Sequence, residues 1–264
     1  MRGAGGEFEA VAVEAAHAGG AVLRRRFGDR AALSIGVKAK HDYVTEVDHE
    51  AEAAVVAVLR RRLPDHAILA EEGSVGAASA AFRWIVDPLD GTTNFIHGVP
   101  TFAVSIGLED ESGLVAGCVF DPCRDETFHA HRGGGARLNG QPIACTPVEH
   151  LDAALIATGF PFRKMDQLPA YLAAFERFVR STSGLRRAGS ASLDLAYTAC
   201  GRYDGFFEIG LSPWDLAGGA LVVMEAGGRV TDVQGGSGFL RDGSVVAAGA
   251  GLHAAMLAIT KGTL

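Results

Sequence analysis

The stretch WIVDPLDGTTNF, residues 84–95, decides how the rest of the chain is read. Trp84, Ile85 and Val86 have the pattern of a buried strand and run directly into two aspartates, Asp87 and Asp90. Pro88 holds the residue before it extended, so a turn here can aim both carboxylates and the Leu89 carbonyl to one side. Gly91 permits close backbone approach, and the amides of Gly91 and Thr92 open a short helix from Thr92. Amides in a first helical turn lack partners within their own helix and attract anions. Carboxylates for a metal beside amides for a phosphate outline a phosphoryl-transfer site. Taken alone, the same residues also read as ordinary turn punctuation.

Other carboxylates change that balance. Glu71 and Glu72 follow the apolar run AILA, and Asp215 opens a helix within SPWDLAGG far downstream. Carboxylates at strand ends and helix starts can converge on one cleft, where cations must offset their repulsion. Oxygen-only ligation suits Mg2+, which keeps waters and shares its remaining positions with substrate phosphate. Each acid singly is also a turn or capping residue; the combination with residues 87–93 carries the metal reading. An EF-hand fails, because Gly98 stands where that loop needs its bidentate Glu.

With 264 residues, 48% hydrophobic and 21% charged, the chain is of ordinary globular type and long enough for one large or two modest domains. A net charge of −7 argues against a broad nucleic-acid surface. The four cysteines show no CxxC spacing and read as reduced structural thiols. Phe8, Val11, Ala15, Ala18 and Val22 recur at helical spacing among Glu7, Glu9 and Glu14, which marks an amphipathic first helix rather than a signal peptide. No apolar run approaches the ~18 residues of a membrane helix, so a cytoplasmic location without membrane association is expected.

A second helix is expected from His49 to Leu63, with Asp48 as its N-cap and Pro64 beyond its end. Residues 101–143 alternate as a β-meander punctuated by EDESG, DPCRD and LNG. GGGARLNG lacks dinucleotide-binding spacing and reads as hairpin glycines, with Asn139-Gly140 suited to a type I′ turn. Beyond Leu151, helices at 168–180, 190–200 and 213–226 alternate with strands in YDGFFEIG, GRVTDV and SVVAAG, before a last helix. The expectation is a single unit over 1–264, with an α+β metal-binding half at 1–150 and an α/β half at 151–264.

WIVDPLDGTTNFIHGVPTFAVSIGL and WDLAGGALVVMEAGG are similar to the two signature segments of the inositol monophosphatase family, Mg2+-dependent and lithium-sensitive phosphatases. DYVTEVD, AEEGS and YDGFFEIG extend the resemblance essentially end to end. It implies a layered αβαβα sandwich of the inositol monophosphatase and fructose-1,6-bisphosphatase type, and a homodimer. It also implies two to three Mg2+ ions. Glu71, Asp87 and the Leu89 carbonyl match ligands of the first; Asp87, Asp90 and Asp215 match those of the second, with Glu71 helping a weaker third. Thr92 and Asp48 match the pair that orients the nucleophilic water, with Glu71 assisting. The Gly91 and Thr92 amides match the phosphate holders. Gly189, Ala191, Glu208 and Asp90 match positions that contact substrate hydroxyls, and Glu72 matches a supporting acid.

The activity so implied is hydrolysis of a phosphomonoester by direct attack of a metal-activated water. GTTNF followed by HGVPTFAVSIG, together with Glu208, favours myo-inositol monophosphate and related small polyol phosphates. Fructose 1,6-bisphosphate, histidinol phosphate and phosphoadenosine phosphate are the alternatives. SPWD and the loop SIGVKAKHD depart from the animal enzymes, which leaves Lys38 and Lys40 either solvated or near the site. Close bacterial relatives act as RNA-associated antitermination factors, so association with RNA or the transcription machinery is a second expectation. Its candidate surfaces are Arg60, Arg61 and Arg62, and Arg186 with Arg187; solvated helix ends are the plainer reading of both.

Overall fold

In the computed structural model, which describes residues 4–29, 35–39, 42–75 and 80–264, helix α1 (Ala4–Arg26) is followed by a hairpin of β1 (Ile35–Ala39) and β2 (Asp42–Thr45). Helix α2 (Glu46–Arg62), strands β3 (Ala67–Ala70), β4 (Ser74–Val75) and β5 (Arg83–Asp90), and helix α3 (Thr92–His97) come next. The expected meander is present as β6 (Ala103–Asp110), β7 (Gly113–Asp121), β8 (Glu126–His131), β9 (Ala136–Leu138) and β10 (Gln141–Pro142). It joins β3, β4 and β5 in an eight-stranded sheet of order β10-β9-β8-β7-β6-β5-β3-β4.

The remaining elements alternate. They are β11 (Leu155–Thr158), α4 (Leu168–Ser181), β12 (Gly184–Arg186), α5 (Ala191–Ala199) and β13 (Gly205–Ile209), then α6 (Pro213–Glu225), β14 (Gly228–Thr231), α7 (Phe239–Asp242), β15 (Ser244–Gly249) and α8 (Ala250–Thr260). Their strands form a second sheet of order β12-β11-β13-β15-β14. Helix α7 has no counterpart in the sequence reading, because a single turn is too short for hydrophobic periodicity to register.

Side-chain alternation along the strands sorts these elements into layers. Trp84 and Val86 of β5 pack with Val11 and Ala15 of α1 and Val55 and Leu59 of α2. Ile85, between them, points the other way, into the core made by Leu195 of α5 and Ala217 and Leu221 of α6. Phe206 and Ala247 of the second sheet enter that core from the opposite side. Phe207 and Val246, one residue along, join Tyr171 and Phe178 of α4 and Leu252 and Met256 of α8. The architecture is therefore an αβαβα sandwich, with α5 and α6 as the central layer.

Two helix starts bear directly on function. Helix α2 begins at Glu46, earlier than the expected His49, and its N-cap is Thr45 rather than Asp48. Asp48 is the third helical residue and closes a capping box: its Oδ2 accepts from Thr45 N at 2.8 Å and Thr45 Oγ1 at 2.7 Å. The box turns the Asp48 carboxylate inward, where it is buried. Helix α6 repeats the arrangement, with Asp215 Oδ2 accepting from Ser212 N at 2.7 Å.

Helix α6 also lies unusually deep on the first sheet. A Cβ added at Gly117 of β7 would sit 2.5 Å from Gly218 O. One added at Gly218 would sit 2.8 Å from Cys118 O and 2.9 Å from Ile106 O. At these positions backbone rests on backbone, and this depth carries Asp215 toward the end of β5. Gly218→Ala must push the helix off the sheet and is expected to cost about 1–3 kcal/mol. A lower urea midpoint at unchanged slope checks this; an unshifted midpoint would show that α6 can lift freely.

Candidate active site

The site begins with a fault in the sheet. Asp87 of β5 pairs with Ser105 of β6, but Asp90 pairs with Ala103, so β5 carries one residue more than its partner over this interval. Pro88, which has no N–H to offer a ladder, occupies the bulge. Leu89 N donates to Asp87 Oδ1 at 2.9 Å and fixes the first carboxylate. Asp87, Asp90 and Asp215 come together with oxygens within 4.8 Å of one another, and all three are buried. Glu71 leaves β3, which runs parallel to β5; its N–H donates to Val86 O at 3.1 Å, and it lines the same cleft.

Gly91 is the N-cap of α3 at φ 98°, and an added Cβ would lie 3.0 Å from Thr101 O and 3.3 Å from Gly189 O. Both conformation and space demand glycine there. Thr92 Oγ1 lies 3.2 Å from Asp48 Oδ1 and 3.1 Å from Leu89 O. Its one proton serves either acceptor; donated to Asp48, it leaves the hydroxyl lone pairs to accept a further hydrogen bond.

Asp90 is clamped from the other half of the chain. Its Oδ2 accepts from Ser190 Oγ at 2.6 Å, Ser192 N at 2.8 Å and Ser192 Oγ at 2.5 Å, and the Ala191 amide also donates to it. Asn94 strengthens the same junction, donating to Thr101 O at 2.7 Å and Ala188 O at 2.9 Å. Ser190, Ser192 and Asn94 were missed by the sequence reading. The serine at a helix N-cap position in GSAS was the available signal for the first of them.

The cleft, about 520 Å³, is also lined by Gly189, Ala191 and Glu208, as well as by Arg163 and Arg187. Structure thus brings Glu71, Asp87, Leu89, Asp90, Gly91, Thr92, Gly189, Ala191, Glu208 and Asp215 to one wall system, with Asp48 behind Thr92. Glu72 is not part of the lining; its amide donates to Glu52 Oε2 at 2.9 Å. Lys40 and the side chain of Lys38 lie outside the described residues. Of the basic clusters, Arg61 and Arg62 pair with Glu14 of α1, and Arg187 lies over the Phe160 and Phe162 rings. The four cysteines are unpaired, and no described helix is long and apolar enough to cross a membrane.

Burial and mutual repulsion dominate the electrostatics. Burial, then Glu71, Asp90 and Asp215, hold the Asp87 carboxyl well above the usual carboxylate range. Asp215 is pushed up to about 6 by burial and then by Asp90. Burial raises Glu208 to about 8 against the opposing pull of Arg187. Asp90 is raised less freely, since its serine and amide donors favour the charged form. Burial raises Asp48 also, opposed by Thr45. A dry, all-oxygen set of donors this short of positive charge fits Mg2+ by its chemistry.

Comparison with known proteins identifies the family and the fold. The inositol monophosphatase family matches residues 6–262. The Nus factor SuhB of Pseudomonas aeruginosa is 50% identical over 242 residues, covering 90% of this chain and 89% of that protein. The crystal structure of the extragenic suppressor protein suhB from Bartonella henselae has a TM-score of 0.92 at 40% identity, covering 96% of this chain and 98% of that one. The inositol monophosphatase of Anabaena (Nostoc) sp. PCC 7120 has a TM-score of 0.87 at 37% identity, covering 98% and 96%.

A raised carboxyl makes the folded protein bind more protons than the unfolded chain, between the ordinary carboxylate value and the raised one. The part of the metal-free stability that comes from Asp215 is therefore present near pH 4, falls as pH climbs through about 6 and is lost above it. Asp215→Asn removes the charge while its amide oxygen can still accept from Ser212 N. In chelator near pH 7.5 the variant is expected to be more stable than the wild type by about 1–3 kcal/mol, with the gap closing near pH 4. Calorimetry across that range tests it; a variant less stable at both ends contradicts the repulsion account.

Proposed function

This chain belongs to the inositol monophosphatase family, and from that footing we propose that it is a Mg2+-dependent phosphomonoesterase acting on myo-inositol monophosphate and related small polyol phosphates, as a homodimer. The carrying observation is the meeting of three buried carboxylates beside the Gly91–Thr92 turn, in one cleft with Glu71 and Glu208.

Glu71, Asp87 and the Leu89 carbonyl would hold one ion, and Asp87, Asp90 and Asp215 a second, with Glu71 supporting a third. When bound, Mg2+ supplies an acidified water and neutralises charge developing on phosphate and leaving oxygen. The protein's own residues do the positioning. Amides of Gly91 and Thr92 bind the phosphate at the start of α3. Asp48, already oriented by Thr45, accepts the Thr92 proton, so that Thr92 Oγ1 accepts from the attacking water and holds it in line. Glu208, the Gly189 backbone and Asp90 face the polyol hydroxyls; three donors on Asp90 Oδ2 fix its orientation, and the Ala191 amide supports it.

Phosphate release from inositol 1-phosphate, fructose 1,6-bisphosphate, histidinol phosphate and phosphoadenosine phosphate, with and without Mg2+ and Li+, tests the substrate. Activity indifferent to Mg2+ removal rejects the mechanism. Asp90→Asn is expected to abolish turnover in a folded protein. Thr92→Ala is expected to lower kcat by about 10²–10⁴-fold with a smaller effect on KM; an unchanged kcat removes Thr92 from the chemistry.

A second reading rests on the similarity to proteins named Nus factor SuhB. Association with the transcription machinery, independent of turnover, is its content. RNA polymerase subunits that co-purify equally with wild type and Asp90→Asn support it; no retained partner removes it.

A further inference from the structure

Arg163 lies between β11 and α4, on the side of the cleft built by the second sheet, and reaches across to the acidic cluster. Its Nη2 is 4.0 Å from Glu71 Oε1, and its Nη1 is 3.9 Å from Asp215 Oδ2 and 3.5 Å from Ser212 Oγ. The two carboxylates belong to different elements, one following β3 and the other opening α6. One guanidinium fork therefore spans the cleft where a divalent cation would otherwise draw these acids together. The arginine also favours the ionised forms of Asp215 and Glu208. At 39% side-chain exposure it is not walled in and has solvent to move into. Arg187 brings a second guanidinium to the same mouth, but it is fixed over Phe160 and Phe162 and makes no ion pair among the described residues.

We infer that Arg163 is a built-in counter-ion of the carboxylate cluster, one that partly neutralises the site without metal and must yield when a divalent cation enters. This rests on the reading of the cluster as a Mg2+ site. A single diffuse charge at the rim satisfies two of the acids at ion-pair distance, whereas a small divalent ion can lie among all of them, so exchange favours the metal. Its affinity is nevertheless discounted by the work of displacing the guanidinium. Arg163 is on this account a positioning residue that sets the Mg2+ concentration at which the site fills, and it keeps the metal-free fold from bearing the full repulsion of Glu71 and Asp215.

Calorimetric titration of Mg2+ into metal-free protein, with thermal unfolding in chelator alongside, tests the inference without reference to turnover. Arg163→Gln is expected to bind Mg2+ about 3–10-fold more tightly than wild type and to unfold at a lower temperature in chelator. Arg163→Lys keeps the charge and is expected to return most of the wild-type affinity. Arg187→Gln removes an equal charge from the same mouth and is expected to stay within about twofold of wild type. Equal or weaker Mg2+ binding by Arg163→Gln overturns the inference, as does a lysine variant that behaves like the glutamine one. If wild type takes up no Mg2+ at all, the metal-site reading itself has failed, an outcome distinct from equal binding by the two proteins.

Discussion

Repulsion between carboxylates in a dry space is the constraint around which this molecule is organised. Asp87, Asp90 and Asp215 are buried within one small volume; Asp90 and Asp215 raise the proton affinity of Asp87, and Asp90 raises that of Asp215. Left to themselves, such groups separate or take up protons. Here separation is blocked three times over: by the bulge in β5, by the Ser190 and Ser192 clamp on Asp90, and by the capping box that opens α6. Layers of apolar packing on both sides of the first sheet supply the stability against which that strain is held.

The two halves of the chain contribute unlike parts. Residues from the first sheet bring Glu71, Asp87, Asp90, Gly91 and Thr92, all within a short reach of strand ends. The second half brings Asp215, the clamp on Asp90, and the wall with Glu208, Arg163 and Arg187. The same local device appears on both sides. In α2 and α6 an aspartate at the third helical position reaches back to the N-cap amide; Asp215 lines the cleft and Asp48 lies behind Thr92. A motif that ordinarily satisfies orphan amides thereby also orients a carboxylate toward the cleft.

Much of this could be read from residues alone, and what escaped has physical causes. The apolar run before Asp87, the meander punctuated by turn clusters and the later alternation of helices and strands rest on short-range periodicity, whereas the layered sandwich is what the family resemblance implies. Asp48 has the residue type of an N-cap, but Thr45 holds that position and Asp48 closes the capping box from the third helical residue. Ser190, Ser192 and Arg163 act on acids far away in sequence, and no local pattern encodes such pairings. Gly117 and Gly218 were equally silent, since hydrophobic periodicity counts side chains and these positions matter for having none.

The glycine contact between α6 and the first sheet has one more consequence. Main-chain atoms have dimensions that no substitution changes, so the spacing between Asp215 and the β5 aspartates is referenced in part to a fixed datum and not only to the summed volumes of packed side chains. Drift elsewhere in the cores, as leucines exchange with valines or methionines, therefore accumulates less as error across the two aspartate-bearing elements. The opposite wall has no such reference: Arg163 and Arg187 project from connecting segments, and Glu208 from a strand of the other sheet. A chain assembled in this way holds its three buried aspartates to a tight tolerance while leaving the opposite wall of the cleft open to revision.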